Sequence, residues 1–112
     1  MSDCIFCRII AGEIPASIVY QDDQLIAFKD IHPKATVHIL LVPRKHIATL
    51  ADAEPVDQAL LGHLQLTLPK IAREQGLETG FRTVLNTGRG GGQEVFHMHY
   101  HLLGGKALPF TV

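Results

Sequence analysis

One stretch of this chain, and only one, carries the apolar period of a long helix. Leu60, Leu61, Leu64, Leu68, Ile71 and Ala72 fall on a single stripe between residues 55 and 75. Pro55 suits a first helical turn, Glu54 and Asp57 neighbour the positive helix end, and Gly76 supplies a stop. Pro69 removes one N–H and crowds the preceding turn, so a bend is expected there. The other apolar runs are short. Ile5, Phe6, Ile9 and Ile10 recur at helical spacing ahead of Gly12 and predict a short helix. Residues 18–21 and 25–29 read as a hairpin turning at Asp22-Asp23, and 37–42 as a third strand that Pro43 ends. Residues 81–85 read as a fourth strand, 86–92 as a glycine-rich loop, and 95–103 as a fifth strand closed by Gly104-Gly105. Strands in runs, not alternating with helices, imply an α+β fold. The expected architecture is a five-stranded, mainly antiparallel sheet with one long and one short helix. The long helix must lay its stripe on one sheet face.

At 112 residues the chain is expected to form a single domain, residues 1–112. Ten basic residues nearly balance eleven acidic ones, so bulk charge points to neither a nucleic acid nor a membrane surface as partner. The strongest apolar run covers only residues 39–42, far short of a membrane span. Met1-Ser2-Asp3-Cys4 shows no basic segment followed by an apolar one, so cytoplasmic residence is the expectation. In that compartment Cys4 and Cys7 suit a metal or redox pair better than a structural disulfide.

The chemistry concentrates in His97-Met98-His99-Tyr100-His101. On a strand, period two aims the three imidazoles at one face, and Phe96, Met98, Tyr100 and Leu102 at the other. Imidazole titrates nearest neutrality and serves as nucleophile, proton donor or metal ligand. Three in strict alternation are costly as mere packing. Gly88-Arg89-Gly90-Gly91-Gly92-Gln93 stands directly upstream. Glycines let backbone N–H groups approach an anion closely. An anion cradle beside a nucleophilic imidazole suits attack on phosphorus.

His97-Met98-His99-Tyr100-His101-Leu102-Leu103 resembles the His-φ-His-φ-His-φ-φ signature of the histidine triad (HIT) superfamily. Cys4 to Pro15, Phe28-Lys29-Asp30-Ile31, His38 through His46, and Gly92-Gln93 through Gly105 also resemble its segments, in order and spacing. The short tail and Gly104-Gly105 are similar to the Hint branch, the purine nucleoside phosphoramidases. The resemblance implies a homodimer with one continuous ten-stranded sheet. It implies His99 as the nucleophile on the α-phosphorus, forming a nucleotidyl-histidine that water hydrolyses. A backbone carbonyl near the first triad histidine would fix its tautomer. His101 matches the position that contacts phosphate oxygens, and His38 the fourth active-site histidine. Gln93, Glu94 and Val95 would hold the phosphate, with Asn86 near the sugar and phosphate. Asp30 matches the carboxylate that accepts from ribose hydroxyls. Ile5, Phe6, Ile9, Ile14, Phe28 and Ile31 match the apolar slot for the base. Dinucleoside polyphosphate or aminoacyl-adenylate chemistry is the second expectation, and a nucleotide-binding regulatory module the third.

Two positions depart from the branch. Glu94 stands where serine is common, and a carboxylate there would repel phosphate unless it turns away; strand periodicity aims it away. The usual C-terminal tryptophan is absent, since the chain has none. The C-x-x-C pair of Cys4 and Cys7 needs two more ligands to saturate tetrahedral zinc. No thioredoxin-like pattern surrounds it. In several bacterial relatives a histidine after the third strand and the first triad histidine complete the set; His46 and His97 match them. The implied cofactor is structural zinc on Cys4, Cys7, His46 and His97. His32 and His63 match no motif and are expected at the surface or an interface.

Overall fold

A computed structural model describes residues 3–106 and 108. The chain opens with helix α1 (Ile5–Ile10), followed by strands β1 (Ile18–Gln21), β2 (Leu25–Lys29) and β3 (Val37–Pro43). Two single 3-10 turns, Leu50–Asp52 and Pro55–Asp57, lead into helix α2 (Gln58–Glu74). Strand β4 (Arg82–Val84), a 3-10 turn at Arg89–Gly91 and strand β5 (Tyr100–Gly104) complete the fold. The strands form one sheet in the order β1-β2-β3-β5-β4. Every neighbouring pair is antiparallel. The expected α+β architecture is therefore the one observed.

Apart from Lys29 and His38, strands β2 and β3 are apolar, because both sheet faces are covered. Leu25, Ala27, Ile39 and Leu41 point to the α2 side, where they meet Leu64, Leu68 and Ile71. Ile26, Phe28, Leu40 and Val42 point to the other side, where they meet Phe6 of α1. Period two thus divides each strand between two cores.

Helix α2 begins later than expected. Pro55–Asp57 forms a separate turn closed by a capping box, in which Glu54 and Asp57 exchange side-chain and backbone bonds. Asp57 is buried and takes Lys45 Nζ at 2.6 Å. The helix runs on through Pro69 as one element. The carbonyl that Pro69 cannot serve belongs to Gln65, an exposed residue that water can reach. Gly76 ends the helix at φ 78°, and the Leu77 N–H returns to Ala72 O at 3.0 Å.

The fifth strand is shorter than residues 95–103. Its ladder with β3 starts at Leu41 and Tyr100. Extending that register places Pro43, which has no N–H, opposite Met98. The Met98 N–H goes instead to Ile47 O at 2.8 Å. His97 and His99 therefore lie in an extended approach to β5, not within it. The fourth strand likewise contracts from 81–85 to Arg82–Val84.

Candidate active site

Alternation survives outside the ladder. Met98, Tyr100 and Leu102 enter the core under α2. Phe96, expected on that face, is instead 41% exposed. The rings of His97 and His99 lie on the α1 side, each edge-on to Phe6, with centroids 6.0 and 5.0 Å away. The His99 and His101 rings are 5.0 Å apart. His97, His99 and His38 are buried, and His101 is half-buried.

Hydrogen bonds assign each imidazole a tautomer. His99 Nδ1 lies 2.8 Å from the His97 carbonyl, which only accepts, so Nδ1 carries the proton. The Nε2 lone pair is left for chemistry. Burial lowers the His99 pKa below the ordinary imidazole value, against the opposing pull of the carbonyl bond and Asp30. A neutral, oriented imidazole results. From the loop before β3, the Lys34 N–H donates to His38 Nδ1 at 3.0 Å. His38 therefore holds its proton on Nε2, 2.9 Å from His101 Nδ1. His101 accepts there and keeps its own proton on Nε2. Burial, with His99 and His38 adding to it, pushes His101 down to about 4. Burial also lowers His38, and Asp30 Oδ2 lies 3.5 Å from its Nε2.

A cavity of about 330 Å³ opens onto these rings. Ile5, Phe6, Ile9, Ile14, Phe28, Leu40 and Val95 give it an apolar lining. Asp30, Asn86, Glu94, His99 and His101 close the polar end. Ile31 also lines it, though 85% exposed, and so sits at the rim. A second cavity of about 380 Å³ shares Asp30, Asn86, Glu94 and His101, adds His32 and His38, and does not reach His99.

Three expectations need correction. The Gln93 side chain cannot hold a phosphate. It is buried, accepts from the Gly88 N–H, and donates to Ala48 O and Val95 O. The glycine loop also turns most of its donors inward, away from an anion. The N–H groups of Gly91, Gly92 and Gln93 all bond carbonyls inside the loop, because it folds into a 3-10 turn. Among the described residues, the Glu94 and Val95 N–H groups take no protein acceptor, and both residues border the first cavity. Finally, strand periodicity does not govern Glu94, which borders both cavities. The strand argument fails there because residue 94 precedes β5. His63 bonds Asp22 at 2.7 Å, and His32 is exposed. Leu40 was missed, although it shares a β3 face with His38 and period two points to it.

A second cluster adjoins the first through His97. Cys4, Cys7, His46 and His97 bring one donor atom each to within 4.8 Å of one another. His97 Nδ1 lies 3.4 Å from Cys4 Sγ, 3.5 Å from Cys7 Sγ and 3.1 Å from His46 Nδ1. Cys7 Sγ lies 3.3 Å from His46 Nδ1. Tetrahedral Zn–S and Zn–N bonds of about 2.3 and 2.0 Å give edges of roughly 3.3–3.8 Å, so the set fits a metal ion. His97 Nε2 lies 2.7 Å from Pro43 O, so it donates there and leaves Nδ1 as the ligand atom. Asp30, His38 and His101 also cluster. They fit a metal poorly, because His38 already accepts at Nδ1 and carries its proton on Nε2.

Comparison with known proteins agrees with this geometry. Residues 3–109 match the family described as "Scavenger mRNA decapping enzyme C-term binding". Protein HitA of Neisseria gonorrhoeae is 54% identical over 104 residues, covering 93% of this chain and 97% of that protein. The chain belongs to the histidine triad superfamily. A histidine triad protein from Clostridium difficile superposes with a TM-score of 0.93 at 48% identity, covering 100% of this chain and 98% of that one. A HIT family hydrolase from Legionella pneumophila gives 0.90 at 48% identity, covering 93% and 94%. Among the described residues, no helix is long and apolar enough to cross a membrane.

Proposed function

We propose that this histidine triad chain is a nucleotide hydrolase that cleaves the P–N bond of purine nucleoside 5′-phosphoramidates. The observation that carries the reading is His99. Its proton is committed to the His97 carbonyl, and its Nε2 belongs to a neutral ring bordering an apolar slot. The Legionella relative is itself described as a hydrolase.

The base would lie in the apolar slot against Ile5, Ile9, Ile14 and Phe28, and Asp30 would accept from the ribose. His99 Nε2 attacks the α-phosphorus and the P–N bond breaks as solvent protonates the departing nitrogen, while His101 Nε2–H donates a hydrogen bond to a phosphate oxygen. Water then attacks phosphorus, loses its proton to solvent and releases neutral His99. The Glu94 and Val95 N–H groups supply donors for the phosphate oxygens. The Cys4, Cys7, His46 and His97 set would hold zinc as a closed structural ion. Four protein ligands leave it no open position, so when bound it supplies folding energy.

A second reading, cleavage of a P–O bond in a dinucleoside polyphosphate or aminoacyl adenylate, draws support from the decapping enzyme in the matched family's description. Comparing kcat/KM for adenosine 5′-phosphoramidate and a dinucleoside polyphosphate chooses between the two. His99→Ala is expected to lower turnover by several orders of magnitude while AMP still binds. Rapid-quench mass spectrometry should find a nucleotidyl group on His99. Near-normal turnover by His99→Ala would sink the covalent mechanism.

A further inference from the structure

Helix α1 has only six residues, and Phe6 is its only buried one. A helix this short is not stable by itself. Its position must be imposed from outside. Ile9 and Ile10 pack against the core from partly buried positions, and two further anchors are stronger. Phe6 enters the core beside Ile26, Phe28, Leu40 and Val42. Cys4 and Cys7, on either side of Phe6, reach His97. The Cys4 contact with His97 spans 93 residues of sequence.

The same helix supplies Ile5, Phe6 and Ile9 to the lining of the apolar slot. His97 belongs to both structures at once. Its ring Nδ1 faces the thiols, and its carbonyl holds His99 Nδ1–H. Phe6 touches both rings, edge-on to His97 and to His99. Anything that tightens the Cys4–Cys7–His97 cluster therefore fixes the slot wall and the carbonyl that orients the nucleophile. Anything that fills the slot presses on Phe6 and holds the thiols in ligating position.

We propose that the Cys4–Cys7–His46–His97 centre and the nucleotide slot are energetically coupled, with Phe6 and His97 as the positioning residues that carry the coupling. The proposal rests on the reading of the slot as a nucleotide site. Thermodynamic linkage makes the effect reciprocal: the factor by which metal tightens nucleotide binding equals the factor by which nucleotide tightens metal binding.

The test measures both factors on the full chain, using Zn²⁺ with a competing chelator and AMP as the nucleotide. Saturating AMP should tighten Zn²⁺ binding about fivefold or more, in the range usual for coupled sites. Zn²⁺ should tighten AMP binding by the same factor. Phe6→Leu keeps all four ligands and an apolar wall but loses the edge contacts. Both ligands should bind more weakly, and the ratio of AMP affinities with and without Zn²⁺ should fall toward one. A merely structural metal, bound independently of the slot, would give a factor of one in the wild-type chain and overturn the coupling. So would a Phe6→Leu factor equal to that of the wild type. AMP failing to bind with or without Zn²⁺ would overturn the nucleotide reading itself, a result distinct from equal binding in both states.

Discussion

His99 and Glu94 show how differently two residues in one site depend on their surroundings. The role of His99 follows from a single carbonyl at 2.8 Å, provided by a residue two positions earlier. That contact is local in the chain, and the resemblance to the histidine triad superfamily implied it. Glu94 depends on where β5 begins. Because the ladder starts only at Tyr100, residue 94 is released from strand periodicity and joins both cavity walls. A carboxylate aimed from there into the site would oppose an incoming phosphate. Glu94→Ser is expected to raise kcat/KM on adenosine 5′-phosphoramidate by roughly three- to tenfold, a modest gain because the residue is exposed and screened. A ratio within twofold of the wild type would show that the carboxylate lies clear of the phosphate.

At the scale of elements, the apolar stripe of α2 and the two-sided burial of β2 and β3 determine each other. The C-terminal end of the helix is held in an unforgiving way. Gly76 turns the chain so that Leu77 packs against Gly104 at the end of β5. A Cβ at Gly104 would collide with the Leu77 side chain. Gly104→Ala should therefore destabilise the fold by about 1–3 kcal/mol, the usual range for overpacking. Urea unfolding of the variant provides the measurement, and an unchanged midpoint would show that Leu77 can move aside. Gly104-Gly105 was read from the sequence only as the close of a strand. The packing that requires a glycine at 104 comes from a residue 27 positions away.

At the scale of the whole molecule, the sheet ends in exposed strands. β1 and β4 are its edges, and β4 is only three residues long. Phe81, next to β4, is 41% exposed, and Leu66 on α2 is 77% exposed. Unpaired edges and large apolar side chains together invite a second copy. We predict a homodimer whose two sheets join into one of ten strands. Sedimentation at micromolar concentration should show the dimer, and monomer alone would refute it.

Period, spacing and turn chemistry were enough to reveal α1, the β1–β2 hairpin, the α2 stripe and the alternation that sends His97, His99 and His101 to one side. Each of these is set by contacts between near neighbours, so the sequence carries it directly. The four-residue cluster of Cys4, Cys7, His46 and His97 was legible only through resemblance, since its members are far apart in the chain. Gln93, the glycine loop and Glu94 were misread. Whether a backbone N–H meets a ligand or a carbonyl depends on how the loop folds on itself. Here the Gly91, Gly92 and Gln93 N–H groups go to the loop's own carbonyls, and Gln93 spends its amide on fastening it. The start of β5 was decided the same way, by a proline across the sheet and a carbonyl at Ile47. Short-range periodicity was the sequence's to determine; the allocation of hydrogen-bond donors among distant acceptors belonged to the tertiary structure, because only folding brings those acceptors within reach.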